Sequence, residues 1–365
     1  MSTARLRIGV NVLFLRPEEM SGTGTYTWEL LRRFAQRDDL ELVVFAQGGW
    51  VPADLRARVE VVPTPRFASA LARVAYEQTM FAVRASRYDL DVLWSTGYVV
   101  PFAARVPHVA TIHDLYYRHA PDAVSGMRRH YFRWLVPATV RRARRVVVGA
   151  ANTAADLAAE LGNDRTTGVR VVLHGVRTSL ASVEAVVPEV ESPYVLAVAA
   201  ATANKRLHIV IGAVERLRAA GHDLRLVIVG TDPRRLLAAA IEGKEAWVVR
   251  FEQLEEAELA GLYRNAAVYA TASAYEGFGL PVLEAQMLGV PVICSQGGAL
   301  PEVAGFGAHY PPVADAASYA TSISMVLSEH DVAEALRVAG HRNVERFSWD
   351  RAADETAAIM FEAVQ

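Results

Sequence analysis

The sequence predicts an α/β protein of two parallel-sheet domains facing a cleft. Three observations carry this. Short β-branched runs alternate with longer helical stretches along nearly the whole chain, the pattern of repeated strand–helix–strand units. The strand-like runs are almost continuously apolar, as strands are when helices cover both faces of a sheet. One stretch with two prolines, three glutamates and little periodicity, 181–194, divides the pattern into two series.

In the first series the expected strands are Ile8–Leu13, Leu42–Phe45, Val92–Trp94, His108–Ile112, Val146–Val148 and Val171–Leu173. Between them the helical pattern covers Thr25–Gln36, Ser69–Ser86 and Met127–Arg142. The second series runs through Val195–Val198, Leu224–Val229, Trp247–Phe251, Val268–Ala270 and Pro291–Cys294. These readings set the domains at 1–180 and 195–346, joined by a linker at 181–194. Ser348 is placed to cap a last helix. Ligands of such sheets sit at the carboxyl ends of the strands.

Composition narrows the function. The chain has 365 residues, 52% of them hydrophobic, enough to fill real cores. Its net charge of −2 supplies no global basic field for nucleic acid. The single cysteine, Cys294, excludes an intrachain disulfide and a cysteine-rich zinc site, and suits a reducing, cytoplasmic setting. The amino-terminal apolar run is short, is broken by Asn11 and meets Arg16, so it reads as a buried first strand, not a leader. No apolar stretch approaches the roughly 18 residues of a membrane span.

The most informative stretch is "SAYEGFGLPVLEAQMLGVPVIC", residues 273–294. Glu276 falls in a strand-to-helix loop, and Glu284 lies on a helix expected from Gly279 to Leu288. Gly277 and Gly279 let a ligand approach the backbone and leave amides at a helix N-terminus, which favours phosphate or hydroxyl oxygens. Carboxylates accept hydrogen bonds from sugar or ribose hydroxyls. Two other readings compete: an acid–base pair of a glycoside hydrolase, or a helix cap at Glu276 with a solvated Glu284. Spacing alone favours the last.

A resemblance tips the balance. "EGFGLPVLEA" resembles the E-x7-E signature of retaining nucleotide-sugar glycosyltransferases, family 4. "SGTGTYTWELL", "IHDLYY", "RRARRVVVGAANTAADL", "LHGV", "LEEAELAGLYRNAAVYATASAYEGFG", "GGALPEVAG" and "FSWDRAA" resemble further segments of that family, in its order. The style is nearest to its mannosyltransferases and rhamnosyltransferases. The resemblance implies the GT-B architecture of two Rossmann-like domains, with the last helix, 347–365, packed back on the first. It implies a nucleotide diphosphate sugar as donor and co-substrate, a hydroxyl acceptor, retention at the anomeric carbon and no further cofactor.

The same resemblance assigns roles. Glu276 and the amides of Phe278, Gly279 and Leu280 hold hydroxyls of the donor sugar, and Glu284 holds the ribose diol. His113 touches the transferred sugar, and Asp114 orients that segment. Gly22 and Gly24 form a loop near the donor phosphates, with Thr23 and Thr25 on the acceptor side. Lys205 neutralises the diphosphate at a helix start. The family's arginine is missing: residues 199–204 read Ala-Ala-Ala-Thr-Ala-Asn, and Arg206 stands where the family usually has glycine or asparagine. Arg206 either substitutes or is a solvated first-turn residue.

Several motifs are set aside. "SGTGTY" lacks the third glycine of a dinucleotide loop, with Thr27 in its place, and there is no P-loop. "DLD" at 89–91 precedes a strand, and reads as a turn. No histidine pair has metal-ligand spacing, so no metal requirement is expected. The basic segment 127–145 either makes a peripheral contact with an anionic membrane or is a surface helix with an arginine-rich rim, and the rim is the simpler reading. Sugar-nucleotide epimerase, disaccharide phosphorylase and non-catalytic binding protein are the rival functions on such a fold.

Overall fold

The computed structural model describes residues 5–16, 21–120, 126–232 and 235–365. It contains two compact units, each built on one parallel sheet.

The first unit comprises residues 5–115, 126–175 and 348–365 among those described. Its strands are β1 (Leu6–Asn11), β2 (Leu40–Gln47), β3 (Glu60–Thr64), β4 (Val92–Ser95), β5 (His108–Ile112), β6 (Arg145–Val148) and β7 (Val169–Val171). They lie in the order β3-β2-β1-β4-β5-β6-β7. Every pairing is parallel. All residues of β4 and β5 are buried, which explains their unbroken apolar character.

The expected strands are present, with differences that have physical causes. β3 was not expected: it is an edge strand containing Pro63, a residue that weakens a strand signal and that edges tolerate. β7 falls two residues earlier than expected. The helix expected over Ser69–Ser86 is two, Ala70–Gln78 and Met80–Ala85, because Thr79 leaves helical geometry at φ −122° and ψ −81°. Gly126–Arg142 stays one helix around Pro137. It turns Phe132, Val136 and Val140 inward and exposes Arg129, Arg133, Arg141 and Trp134.

The last helix, Trp349–Val364, belongs to the first unit. Ser348 caps it by accepting from the Arg351 amide at 3.3 Å. Asp350 and Asp354 meet Arg33 and Arg37, and Glu362 meets Arg145. Ala352, Ala357 and Met360 are buried beneath these contacts.

The second unit holds β8 (Tyr194–Val198), β9 (Arg225–Val229), β10 (Val248–Phe251), β11 (Val268–Thr271), β12 (Val292–Cys294) and β13 (Ala308–His309). They run in the order β10-β9-β8-β11-β12-β13, also all parallel. The stretch expected to be a linker, 181–194, is instead part of this unit. Leu180 is fully buried, and Val183, Ala185 and Val190 pack on the same core as Leu259 and Tyr263. The Val186 amide donates to Ala257 O at 3.1 Å. Apolar residues dispersed among prolines and glutamates show no period, yet still supply a coat for a neighbouring helix. Residues 116–120 also group with this unit. No helix among the described residues is long and apolar enough to cross a membrane.

Three buried histidines lie in the first unit: His108, His113 and His174. Burial pushes His108 and His113 down from 6.5 to about 4, and His174 well below 6.5. The unfolded chain takes up protons that these folded rings refuse, so stability declines as pH falls from 6.5 towards 4. His108→Leu is expected to flatten this part of the thermal-midpoint profile; an unchanged slope would contradict the assignment for that ring.

Candidate functional site

In each sheet the strand order runs outward in two directions from a central pair. The loops leaving the carboxyl ends of that pair diverge, and the crevice between them is where such sheets bind ligands. In the second unit the pair is β8 and β11. β8 leads into a single 3-10 turn, Ala203–Lys205, and the helix Leu207–Ala219. β11 leads through 272–279 into the helix Leu280–Met287.

Polar contacts tie these two loops together. The Ala274 amide donates to Asn204 O at 2.8 Å, and Asn204 Nδ2 donates to Tyr275 O at 2.7 Å. Lys205 Nζ meets Glu276 Oε1 at 2.5 Å, with the two side chains 26% and 17% exposed. His119 stacks on the Tyr275 ring with centroids 4.4 Å apart and planes 4° from parallel. A third loop closes on the other side: Glu276 N donates to Gly297 O at 3.3 Å, and Ala299 N donates to Glu276 O at 2.8 Å. Gly298 has φ +64°, and a Cβ there would lie 2.3 Å from Glu276 O. Gly297 and Gly298, which open "GGALPEVAG", thus let this loop reach the Glu276 backbone.

The electrostatics favour an anion beside Lys205. Neither helix has a side-chain cap at its start. Gly279 enters the second at φ +109°. The Ile209 and Val282 amides turn back to Arg206 O and Gly279 O at 2.9 and 3.0 Å, Pro281 carries no amide hydrogen, and both helix dipoles present their positive ends here. The Lys205–Glu276 pair is partly exposed, so its net worth is about 1 kcal/mol or less. A ligand carrying both negative charge and hydroxyls can separate the two groups at modest cost.

Lys205 and Arg206 precede the helix and are not in its first turn. Arg206 is exposed and left-handed, at φ 46° and ψ 39°. That conformation suits glycine or asparagine, which gives a physical reason for those residues elsewhere in the resembling family.

Glu284 differs from both spacing-based expectations. It is 2% exposed, not solvated. It is also no open acceptor: Arg177 donates to Oε1 at 2.7 Å and the Tyr263 hydroxyl to Oε2 at 3.0 Å. Each oxygen retains a second lone pair for a ligand hydroxyl. Glu276 does not cap its helix. Each carboxylate has its own cation, an arrangement suited to two acceptor groups more than to an acid–base pair. Phe278 is buried with its ring edge-on to Phe347 at 5.7 Å, and Leu280 opens the helix.

In the first unit, Gly22, Thr23, Gly24 and Thr25 are not a loop. They form the first turn of the helix Gly22–Phe34, because Ser21 acts as N-cap. Its hydroxyl accepts from the Gly24 amide at 3.2 Å and its carbonyl from the Thr25 amide at 2.9 Å. Thr23 Oγ1 lies 2.9 Å from Ser21 Oγ. Gly22 is exposed and Gly24 buried.

His113 follows β5, and Asp114 beside it is half-buried. The His113 Nε2 is 2.8 Å from Thr96 O. With burial holding the ring neutral, Nε2 carries the proton and donates, which leaves Nδ1 an acceptor. Tyr26 meets the ring edge-on at 5.1 Å. Among the described residues no group of three or more His, Cys, Asp and Glu side chains is placed to hold a metal.

Sequence reasoning missed Arg177, Tyr263 and Asn204. Asn204 had a signal, its place beside Lys205. Arg177 had none, being 107 positions from Glu284.

Comparison with known proteins adds independent findings. The family profile described as Glycosyltransferase Family 4 matches residues 20–180, and that described as Glycosyl transferases group 1 matches 182–342. No curated protein matches by sequence. The fold is similar to a sucrose-phosphate synthase from Thermosynechococcus elongatus, with TM-score 0.76, 19% identity, and 98% of this chain and 99% of that one covered. It is also similar to Anabaena HepE, solved with UDP and glucose, with TM-score 0.76, 16% identity, and 98% and 100% covered. WaaG, a glycosyltransferase of lipopolysaccharide biosynthesis, gives TM-score 0.74 at 15% identity, with 97% and 99% covered.

Arg206→Gly is expected to raise the unfolding free energy by about 1 kcal/mol, since glycine relieves the left-handed strain. Gly298→Ala is expected to lower it by about 1–3 kcal/mol, since the added carbon meets backbone. Denaturant titration reads both, and a change of opposite sign in either would contradict the local geometry.

Proposed function

The chain belongs to the family 4-like GT-B glycosyltransferases, and from that premise we propose that its donor is a nucleotide diphosphate hexose or deoxyhexose. Mannose and rhamnose are the sugars to try first. The sugar passes to an acceptor hydroxyl on a glycan, a lipid-linked saccharide or a natural product, with retention at the anomeric carbon. The observation that carries this is the Lys205–Glu276 pair at the diverging ends of β8 and β11, between two uncapped helix starts. One cation, two positive dipole ends and a carboxylate suit a pyrophosphate joined to a polyol. The presence of UDP and glucose in HepE supports the same class of donor.

In this reading Lys205, aided by exposed Arg206, takes the diphosphate. Glu276 then releases Lys205 and, with the amides of Phe278, Gly279 and Leu280, holds sugar hydroxyls. Glu284 accepts from the ribose diol, oriented by Arg177. His113, neutral, offers Nδ1 to a hydroxyl of the transferred sugar, and Asp114 orients its segment. Gly22, Thr23, Gly24 and Thr25 present a helix start to phosphate or acceptor oxygens.

The reaction forms a bond from the acceptor oxygen to the anomeric carbon and breaks the bond from that carbon to phosphate. The bonding pair leaves with the diphosphate, and the acceptor proton passes to the departing phosphate oxygen. No protein nucleophile takes part. Stabilisation of charge developing on the diphosphate does most of the work, and Lys205 with the helix starts supplies it without a divalent cation.

A thermal-shift screen of nucleoside diphosphates and their sugars tests the donor. A ligand at a hundred times its Kd stabilises by about 2.7 kcal/mol, and no shift with any of them would sink the reading. Lys205→Ala is expected to slow transfer by about a hundredfold or more, with EDTA without effect. Transfer at the native rate would remove Lys205 from the phosphate. Glu284→Gln is expected to weaken donor binding by roughly 1–3 kcal/mol, the cost of losing a charged hydrogen-bond partner; unchanged affinity would end the ribose assignment.

A further inference from the structure

Among the described residues, Glu77 is the only buried carboxylate of the first unit, 4% exposed, and nothing in the reaction above uses it. Burying an ionisable group is costly, and an apolar side chain would fill the space at less expense. Its surroundings give it a task.

Asn11, the last residue of β1 and 3% exposed, donates from Nδ2 to Glu77 Oε1 at 3.0 Å. The Asn11 Oδ1 accepts from the Leu13 amide at 3.1 Å. On the far side of the carboxylate, Arg73 Nη1 lies 3.2 Å from Oε2, one helical turn before Glu77. The Asn11 carbonyl is then the acceptor for Thr96, from Oγ1 at 3.2 Å and from the amide at 3.4 Å. Thr96 in turn offers its carbonyl to His113 Nε2 at 2.8 Å. An unbroken series, Arg73–Glu77–Asn11–Thr96–His113, thus crosses the carboxyl ends of β1, β4 and β5.

A second observation concerns the turn in the middle. Tyr98 has φ +66°, a left-handed conformation that an aromatic residue adopts at a cost of about 1–2 kcal/mol. Its amide donates to Thr111 O at 3.0 Å, and its ring lies edge-on to His113 at 5.5 Å. Backbone strain of this kind persists where the surroundings over-determine it. Here the turn touches His113 twice, through the Thr96 carbonyl and through the Tyr98 ring.

We propose that Glu77, acting through Asn11, is a positioning residue for His113: it clamps the strained turn 96–98, which fixes the ring's tautomer and its tilt. Glu77 orients the Asn11 amide and anchors the end of β1, so that the Asn11 carbonyl holds Thr96 by two bonds. The Thr96 carbonyl then selects the Nε2–H form and leaves Nδ1 as the acceptor. A residue in this place acts on orientation and not on affinity for the donor's nucleotide. The inference rests on the role given to His113 above, and its test is built around a signal from the ring itself.

Imidazole nitrogen NMR of the full chain, with His113→Asn for assignment, reads the tautomer directly. The native protein is expected to show His113 in a single Nε2–H form. Glu77→Ala and Thr96→Val are each expected to mix the two tautomers and to lower kcat by about tenfold, a loss typical of a misplaced group, with donor KM little changed. Glu77→Gln keeps an oxygen for Asn11 and is expected to restore both readings. Should Glu77→Ala fail to fold, Thr96→Val breaks the same series at a neighbouring link without removing the buried acid. Native nitrogen signals and native kcat per folded molecule in Thr96→Val would overturn the proposal, as would a Glu77→Gln protein that behaves like Glu77→Ala. If the nitrogen signals move as expected but no variant, nor the native chain, transfers sugar, the clamp stands and the proposed donor chemistry fails.

Discussion

The constraint on which this structure depends is the parallel pairing of every strand. Parallel neighbours need crossover connections, and those crossovers cover both faces of each sheet with helices. Side chains in the strands are thereby committed to packing, as the fully buried β4 and β5 show. Chemistry is left to the loops at the carboxyl ends, above all where the order reverses. In the second unit that place is β8 beside β11, and it collects Lys205, Arg206, Glu276 and the start of the helix Leu280–Met287. In the first it is β1 beside β4, where Asn11 meets Thr96.

Environment separates the two glutamates of the E-x7-E stretch. Glu276 sits on a loop stitched to two others by backbone hydrogen bonds, and its carboxylate is half-buried against a lysine. Such a pair is weak enough to open. Glu284 lies one turn into a helix, buried between an arginine and a tyrosine hydroxyl. It is rigid, and what it offers a ligand is the remaining lone pairs of oxygens already oriented. One motif thus supplies an adjustable acceptor and a fixed one.

The histidine of the first unit follows the same logic by other means. His113 is neutral because it is buried, and its proton stands on Nε2 because a carbonyl waits there. That carbonyl belongs to a turn that carries a left-handed tyrosine. Orientation is obtained from a series of neutral and charge-assisted hydrogen bonds, with strain held locally where the histidine needs it.

Much of this was legible in the sequence because it is local. Continuous apolar runs marked most strands, Ser348 marked the start of the last helix, and the helix after Glu276 was delimited by Gly279 and Gly289. Lys205 and Glu276, which the resemblance assigned to one site, stand 2.5 Å apart. What local pattern could not carry was pairing across distance. Arg177 and Glu284 are 107 positions apart, and Asn11 and Glu77 are 66. Nor could it carry backbone conformation at single residues: the break at Thr79, the left-handed Arg206 and Tyr98, and the capping that turns Gly22–Thr25 into helix. The stretch 181–194 shows the same limit, since its dispersed valines have no period and only the neighbouring helix makes them a packed coat. By itself the sequence determined which elements form and which residues stand at their carboxyl ends, because propensity and hydrophobic period act over a few residues. Only the tertiary structure decided which charge each carboxylate keeps and which carbonyl each ring finds, because burial and partner choice are set by segments far apart in the chain.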